Sequence, residues 1–344
     1  MPDTPGQMAL IYEKDAPLAP IAGRTVAVLG FGNQGHAHAL NLRDSGVNVI
    51  VANRPGTANH RLARQWNFEP VGFDEAAQRA DVLIFGMPDE VQPEIYASHI
   101  APHLRAGQCL GFIHGLNIHF GLITPPGDVD VVMVAPKGPG HAVRRHFETG
   151  GGLPCLAAVH QDATGNARAL ALAWATGIGS GRGGIMETTF ARECVTDLFG
   201  EQAVLCGGVI SLMLAGVETL VEAGYPPEMA YFECVHEVKL IVDLVYEGGI
   251  DYMRRRISNT AEYGGLTRGP RVVDDRVKQT MRQVLAEIES GDFAREWRDE
   301  YASGMKRFKA LREADHDHPA EVAGRRLRAL MPWLEPRHLP DERG

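Results

Sequence analysis

The first half of the chain alternates short apolar runs with polar segments of helical periodicity. The apolar runs are brief and rich in β-branched residues, and such runs predict buried strands. The predicted strands span residues 25–29, 47–51, 81–85, 108–113, 130–134 and 155–159. A helix is expected at 163–176, followed by a loop at 177–184 that holds five glycines. Because strands that alternate with helices form parallel βαβ units, we expect an α/β fold with a doubly wound, mostly parallel sheet.

The strand pattern fades after Phe190, and the second half shows long segments of helical periodicity. Helices are predicted at residues 195–223, 227–246, 249–257, 272–290, 292–301 and 319–330. Pro226 and Pro227 mark the start of the second helix, because proline suits the first turn. We therefore expect a domain at 1–190 that contains the sheet, an all-α domain at 191–335 and a tail at 336–344.

A glycine-rich turn follows the first predicted strand and reads Gly30-Phe31-Gly32-Asn33-Gln34-Gly35. A strand, a glycine turn, a helix and a second strand in close succession are a specific signal for dinucleotide binding. Gly30 permits the tight turn, Gly32 lets the backbone approach a pyrophosphate, and Gly35 allows close helix packing. The N-terminus of the following helix then meets the phosphate charge. The first domain is therefore predicted to be a Rossmann-type domain, with a plain βαβ turn as the alternative.

The end of the second predicted strand bears on the choice between NADPH and NADH. An NAD-binding domain usually places an acid here to bind the ribose hydroxyls. This chain instead has Arg54, Thr57 and Asn59, and no acid occurs between Asp44 and Glu69. A 2′-phosphate suits Arg54, together with Thr57 and Asn59. We expect NADPH as the cofactor, with NADH and a merely solvated Arg54 as the alternatives.

Two pairs of acids flank a nearly uncharged apolar stretch in the second half. Asp197 and Glu201 are four residues apart, as are Glu233 and Glu237. Residues four apart share one face of a helix, and like charges there repel each other. Carboxylates brought together in an apolar setting suggest a hard divalent cation with oxygen ligands, and magnesium, as one ion or two, is expected. The alternative is that the acids lie on solvated helix faces.

His114 and Lys137 each follow a predicted strand directly. Ligands of doubly wound sheets bind beyond the carboxyl ends of the strands. Both side chains are therefore candidates for stabilising an oxyanion or relaying a proton, although solvated loop residues remain the alternative. Gly140, in the loop after Lys137, is included among the expected cofactor contacts.

The composition of the chain argues against some classes of function and favours others. The 344 residues carry a net charge of −9 and show no basic stripe, which argues against a nucleic-acid partner. Five cysteines without a Cys-x-x-Cys pair fit a reducing cytosol. No signal peptide and no membrane span are predicted, because no run of 18 uninterrupted apolar residues occurs. We expect a cytoplasmic enzyme that acts on a small molecule.

Together these motifs resemble the ketol-acid reductoisomerase (acetohydroxy-acid isomeroreductase) family in its short form. The resemblance extends over roughly residues 20–335. It is carried by the strings at 35–46, 135–141, 197–208 and 258–264, in addition to the glycine turn and both acid pairs.

The resemblance implies a reaction and a set of roles. The substrate would be 2-acetolactate or 2-aceto-2-hydroxybutyrate, which undergoes magnesium-dependent alkyl migration and then reduction to a 2,3-dihydroxy-3-alkyl acid in valine, isoleucine and leucine biosynthesis. Two Mg²⁺ ions would be held by Asp197 and Glu201 of one subunit and by Glu233 and Glu237 of another. Ser258 of the partner chain would contact the substrate carboxylate. The helical domain would be knotted and intertwined in a homodimer with a shared active site, alone or within a higher oligomer.

The resemblance also makes His114 and Lys137 polar groups of the active site. Glu237, Lys137 or a metal-bound hydroxide would move the protons, and the sequence does not choose among them. Departures from the family pattern include Leu116 and the pair Arg255-Arg256 shortly before Ser258. They leave open a paralogous reductase of another 2-keto acid. A nucleotide-binding regulatory protein that kept only the fold is a third hypothesis, although nucleotide binding requires none of the four acids.

Overall fold

The computed structural model describes residues 9–334 and divides at Cys194/Val195 into two compact units. The first unit contains the β-sheet, and the second is helical. The predicted tail at 336–344 lies outside the described residues.

In the part of the chain that the structure describes, eight strands form one mixed sheet in the order β1-β8-β7-β6-β5-β4-β2-β3. Their bounds are Leu10–Ile11 (β1), Thr25–Leu29 (β2), Asn48–Ala52 (β3), Val82–Phe85 (β4), Cys109–Phe112 (β5), Asp130–Pro136 (β6), Cys155–Gln161 (β7) and Ile185–Glu187 (β8). Neighbouring strands are parallel except at β6·β7 and at β1·β8. The carboxyl ends of β2, β4, β5 and β6 therefore meet at one edge, because these strands run in the same direction.

The sequence missed β1 and β8, and it missed the antiparallel pairings. These two strands have two and three residues, too short to show any periodicity. The prediction of a loop at 177–184 was only partly right, because Ser180–Gly183 form a short helix. The backbone at Gly152 packs directly on the backbone at Gly179, because a Cβ on Gly152 would lie 1.9 Å from the carbonyl oxygen of Gly179.

Within residues 9–189, nine helices cover both faces of the sheet. They are Ala19–Ala22 (α1), Asn33–Asp44 (α2), Ala58–Gln65 (α3), Phe73–Arg79 (α4), Gln92–Ile95 (α5), Leu116–His119 (α6), Gly140–Glu148 (α7), Ala167–Gly177 (α8) and Ser180–Gly183 (α9). Short 3₁₀ segments lie at Asp89–Val91 and Ala101–His103, and a π-helical turn lies at Tyr96–Ile100. Trp174 packs in the core on one face, and the stacked rings of Phe85 and Phe112 lie in the core on the other.

A helix at Phe190–Phe199 (α10) begins in the first unit and continues into the second. The helices after it are Gly208–Glu222 (α11), Pro227–Tyr231 (α12), Val238–Arg256 (α13), Asn259–Val272 (α14), Asp275–Glu289 (α15), Asp292–Ala302 (α16), Lys306–Asp317 (α17) and Pro319–Ala329 (α18). Two π-helical segments, Gly200–Leu205 and Phe232–His236, interrupt this succession.

Helices α14 and α17 were not predicted, and neither were the π-helical segments. Gly264, Gly265 and Pro270 lie inside α14, and residues of these types normally count against a helix. The break predicted between the helices at 227–246 and 249–257 is present as a kink within α13, where Gly249 has φ +84°.

The second unit leaves much apolar surface exposed in the single chain. Among the residues that the structure describes there, one small buried cluster consists of Val217, Ala230 and Ala320 with partly buried neighbours. Tyr246 and Leu205 are 82% and 69% exposed. One helical stretch, Phe190–Glu222, is long and apolar enough to cross a membrane by length and composition alone. A single stretch of this kind is weak evidence for a membrane, because helices of soluble proteins pass the same test.

Candidate active site

The glycine turn between β2 and α2 contains three glycines in different surroundings. Gly30 has φ +95°, a conformation that L side chains rarely adopt. A Cβ on Gly35 would lie 2.2 Å from the Gly30 carbonyl oxygen, so α2 can approach the turn only without a side chain there. The position of Gly32 is open, with only the Asn59 amide 3.9 Å from an added Cβ. Among the described residues no side chain caps α2, so its first-turn amides are left without a side-chain cap.

The polar residues of the turn connect it to the loop after β6. Gln34 Nε2 donates to the carbonyl oxygen of Gly138 at 3.0 Å, and the His141 amide donates to Asn33 Oδ1 at 3.3 Å. Gly140 closes this junction, because an added Cβ would lie 1.8 Å from the Asn33 carbonyl oxygen. Asn33, Gln34 and Gly140 therefore shape the turn by joining two loops.

Phe31 differs from the other residues of the turn because its side chain is fully buried. Its ring packs edge-on against Phe68 and His36, at centroid distances of 5.6 and 5.3 Å. A contact between Phe31 and a cofactor would therefore involve its backbone.

The three residues proposed for a 2′-phosphate differ in their exposure and in the hydrogen bonds that their side chains already make. Arg54 is exposed at the end of β3. Thr57 is the N-cap of α3: its Oγ1 accepts from the His60 amide and donates to the Arg54 carbonyl oxygen at 2.9 Å. The side chain of Asn59 lies next to the open position of Gly32.

One buried carboxylate joins the two catalytic candidates. Glu193, in the first turn of α10, is 1% exposed. Its Oε2 lies 3.1 Å from His114 Nδ1, and its Oε1 accepts from Lys137 Nζ at 3.1 Å. The Gly115 amide also donates to Oε2 at 3.1 Å. The ends of β5 and β6 and the start of α10 thus meet at one ionised group.

Burial and charge act in opposite directions at this cluster. Burial lowers the pKa of His114, but hydrogen bonds to Cys194 and Glu193 and the charges of Asp89 and Glu193 outweigh it and hold the pKa well above 6.5. Burial raises the pKa of Glu193, but His114 and Lys137 bring it below its usual value. At neutral pH the cluster therefore pairs a carboxylate with a protonated imidazole.

The sequence reasoning missed Glu193, Cys194 and Asp89. Glu193 precedes Asp197 by four residues, the same spacing as in each acid pair. That periodicity extended by one turn could have identified it. Asp89 and Cys194 carry no comparable signal in one sequence.

The four predicted metal ligands lie at or beside the π-helical segments. Asp197 is half-buried in α10, whereas Glu201 is exposed in the first π-helical segment. Glu233 and Glu237 are exposed, in the second π-helical segment and at the start of α13. Among residues 9–334, no three of these four carboxylates lie close enough to share an ion. The single chain therefore does not assemble the complete ligand set.

Ser258 is the N-cap residue of α14. Its Oγ accepts from the Ala261 amide at 3.2 Å, and the residue is exposed. The local fold thus places a hydroxyl at a helix N-terminus, where an anion is favourable.

Comparison with known families identifies both units. Residues 20–184 match the family model of the acetohydroxy acid isomeroreductase NADPH-binding domain, and residues 190–333 match that of the ketol-acid reductoisomerase C-terminal domain. The chain belongs to the ketol-acid reductoisomerase family. The resemblance stated from the sequence is confirmed, and so is the fold class of a Rossmann-type domain followed by a helical domain.

Solved structures agree with membership of the ketol-acid reductoisomerase family. An NADH-preferring ketol-acid reductoisomerase from an uncultured archean is 48% identical, with a TM-score of 0.92 over 94% of this chain and 99% of that one. A semialdehyde dehydrogenase NAD-binding protein from Cupriavidus necator, solved with calcium and NAD, is 20% identical, with a TM-score of 0.60 over 78% and 98%. A pyrroline carboxylate reductase from Plasmodium falciparum, with NADP bound, is 15% identical, with a TM-score of 0.50 over 78% and 98%. The two distant likenesses show the fold alone.

Proposed function

We propose that this protein converts 2-acetolactate or 2-aceto-2-hydroxybutyrate into the corresponding 2,3-dihydroxy-3-alkyl acid, by alkyl migration followed by reduction with NADPH. Membership of the ketol-acid reductoisomerase family supports this activity. The observation that carries it is the buried Glu193 carboxylate, which holds His114 and Lys137 together at the strand ends. A protein that only bound a nucleotide would not need this cluster.

His114 and Lys137 supply positive charge and protons in this proposal. Glu193 stays ionised and keeps the imidazole protonated, so His114 presents a cationic group. Preorganised charge of this kind stabilises the negative oxygen that develops during alkyl migration and reduction. Lys137, half-exposed beside Glu193, is suited to exchange a proton with substrate or solvent, and Glu237 is the other candidate for proton transfer.

Asp197, Glu201, Glu233 and Glu237 would hold two Mg²⁺ ions. The donor set fits, because it consists of carboxylate oxygens, and three of the four groups are exposed at helix segments. Bound magnesium would supply Lewis-acid polarisation of the hydroxyl and carbonyl oxygens of the substrate, and bound nicotinamide would supply the hydride.

The cofactor site is proposed to prefer NADPH. The uncapped start of α2 and the open position of Gly32 suit a pyrophosphate, and Arg54 suits a 2′-phosphate. The absence of an acid between Asp44 and Glu69 supports the same preference, since no carboxylate of this loop can bind the ribose hydroxyls. A 48% identical relative prefers NADH, and the ratio of activities with the two cofactors tests the preference of this chain directly.

We further propose a cytoplasmic homodimer, alone or within a higher oligomer, in which Glu233, Glu237 and Ser258 complete the partner's site. Residues 1–190 would bind the cofactor, and the helical domain at 191–335 would supply the metal ligands and the dimer contacts. Two observations support it: no three of the four acids gather within one chain, and the helical unit exposes large apolar side chains.

The deciding experiment follows nicotinamide absorbance with 2-acetolactate, with NADPH or NADH, and with magnesium or EDTA. Magnesium-dependent oxidation is expected, faster with NADPH. Tight NADPH binding without turnover of either acetohydroxy acid would contradict the proposal.

A panel of other 2-keto acids tests the hypothesis of a paralogous reductase. Both arginines that motivate that hypothesis have partners within their own helix, since Arg255 pairs with Asp251 and Arg256 lies over the ring of Tyr252.

A further inference from the structure

Helix α18 packs directly against the residue that precedes the second π-helical segment. That residue is Tyr231, the last of α12, and it is 5% exposed. A Cβ on Gly324 of α18 would lie 2.9 Å from Cζ of the Tyr231 ring, so α18 reaches the ring only because glycine has no side chain. Ala230 and Ala320 belong to the buried cluster beside this contact. The ring of Tyr231 is therefore held between α12 and α18.

The hydroxyl of Tyr231 makes a polar contact with the same helix. Arg328 Nη1 donates to Tyr231 Oη at 3.0 Å, and Arg328 Nη2 donates to Glu321 Oε1 at 2.6 Å. The guanidinium carbon lies 6.0 Å from the centre of the Tyr231 ring. Glu321 has a second, longer contact with Arg325 at 3.8 Å. Tyr231, Arg328 and Glu321 thus form a brace that joins α18 to the end of α12.

The brace ends directly before the segment that carries two predicted metal ligands, Glu233 and Glu237. The Glu237 amide donates to the Phe232 carbonyl oxygen at 3.1 Å, which closes the π-helical turn. Beyond Glu233, the chain packs on α11, because a Cβ on Gly216 would lie 3.0 Å from Cys234 Sγ. The backbone is therefore held on both sides of Glu233, whereas the residue itself is exposed.

We propose that Tyr231 and Arg328 are positioning residues that set the affinity of the metal site for Mg²⁺, by fixing the start of the segment that carries Glu233 and Glu237. This inference rests on the proposed function, since it takes the two acids as magnesium ligands. The Tyr231 hydroxyl is occupied by Arg328, so it acts through the backbone and not as a ligand. A ligand on a fixed segment loses less conformational entropy when it binds an ion. Groups that orient metal ligands commonly change metal affinity about 10- to 100-fold.

The test titrates Mg²⁺ alone into the full-length protein by calorimetry and compares three brace variants with the wild type. Tyr231→Phe keeps the ring against Gly324 but removes the acceptor for Arg328. The Kd for Mg²⁺ should rise about 3- to 10-fold, as expected for the loss of one hydrogen bond. Arg328→Met should give a similar rise. Arg328→Lys can still donate to the hydroxyl and to Glu321, so it should recover most of the affinity.

The control is Tyr225→Phe, which removes a hydroxyl from the same unit. Tyr225 lies outside α12 and is 55% exposed, so this variant should leave the Kd for Mg²⁺ within about 2-fold of the wild type. In steady-state kinetics, Tyr231→Phe should require more Mg²⁺ for half-maximal rate while KM for NADPH stays within about 2-fold. A loss of stability alone would not produce this separation between metal and nucleotide.

An unchanged Kd for Mg²⁺ in both Tyr231→Phe and Arg328→Met would overturn the inference, and so would an equal rise in Tyr225→Phe. Failure of the proposed function is recognised in the wild type, which would then bind Mg²⁺ without turning over acetolactate, or would bind no Mg²⁺. Hydrogen exchange of the amides at 232–237, followed by mass spectrometry, tests the brace in either case. Exchange should be several-fold faster in Tyr231→Phe and unchanged in Tyr225→Phe. Wild-type exchange in Tyr231→Phe would refute the positioning role.

Discussion

Oε1 of Glu193 lies 3.1 Å from Nζ of Lys137, and the carboxylate that makes this contact is 1% exposed. A buried charge is costly unless partners compensate it. Here the carboxylate meets the Lys137 ammonium, the His114 imidazole and the Gly115 amide. The same contacts that stabilise the charge also bring the ends of β5 and β6 to one point.

Glu193→Gln should therefore impair both stability and catalysis. The amide retains the shape but cannot compensate two positively charged neighbours, so we expect a loss on the order of 3 kcal/mol in unfolding free energy. His114 would also lose the charge that keeps it protonated, and kcat should fall about 100-fold. Urea unfolding and steady-state kinetics measure the two effects.

The matched control for this variant is Glu187→Gln. Glu187 forms a bidentate pair with Arg168 on the surface of the same unit. Exposed ion pairs contribute about 0–1 kcal/mol to stability, so Glu187→Gln should change the free energy of unfolding very little. Equal losses in the two variants would show that Glu193 is an ordinary ion-pair partner.

The glycine turn was predictable from sequence, whereas the contacts of Glu193 with His114 and Lys137 were not. Gly30 and Gly35 are recognisable in the sequence because a positive φ and a close backbone approach exclude other residues at these two positions. Glu193 meets His114 and Lys137 only after three separate segments have packed. One sequence carries no local signal for contacts between distant segments, so His114 and Lys137 were predicted individually and their common partner was missed.

The helical half shows a second limit of sequence reasoning. Helix α14 forms although it contains Gly264, Gly265 and Pro270, whose types have low intrinsic helix propensity. The Ser258 side chain caps its start, and none of its residues is buried in the single chain. The π-helical segments at Glu201 and Glu233 likewise leave no mark in a periodicity of 3.6 residues. Segments of this kind are frequent at functional sites, where they redirect side chains.

Gly140→Ala should disturb the cofactor loop. The added Cβ would lie 1.8 Å from the Asn33 carbonyl oxygen, so α7 and the glycine turn must separate. We expect a loss of about 1–3 kcal/mol in stability and weaker NADPH binding. Gly127→Ala is the control, because an added Cβ there meets nothing within 4 Å. Nucleotide affinity unchanged in Gly140→Ala would show that the junction does not shape the cofactor site.

His38 should give the protein a measurable sensitivity to acid. Its Nδ1 accepts from Trp174 Nε1 at 3.1 Å in the core, and burial lowers its pKa from 6.5 to about 3. Between these values the unfolded chain binds a proton that the folded chain does not. Stability from this group is therefore complete above pH 6.5 and decreases by about 1.4 kcal/mol per unit as the pH falls towards 3.

His38→Asn tests this origin, because asparagine can accept the Trp174 hydrogen bond but does not titrate. Urea unfolding at several pH values should show a shallower decrease in stability below pH 6.5. Trp174→Phe removes the hydrogen bond but leaves His38 buried, so it should keep the wild-type slope. A slope that is unchanged in His38→Asn would place the acid sensitivity elsewhere.

Arg54→Ala should shift the cofactor preference towards NADH. Arg54 is exposed at the end of β3, and a charge-assisted hydrogen bond to a 2′-phosphate contributes about 1.5–3 kcal/mol. The ratio of kcat/KM for NADPH to that for NADH should therefore fall roughly 10- to 150-fold. Most of the change should lie in the KM for NADPH, because the phosphate is remote from the nicotinamide.

Arg64→Ala controls for the loss of one positive charge in this region. Arg64 lies on α3, is 61% exposed in its side chain and pairs with Glu69. If the attraction were only general electrostatics, both variants would weaken NADPH binding alike, and added salt would erase the difference from wild type. If the wild type itself prefers NADH, as the 48% identical relative does, Arg54→Ala will leave the ratio nearly unchanged. The Thr57 cap of α3 would then shape the loop without a 2′-phosphate.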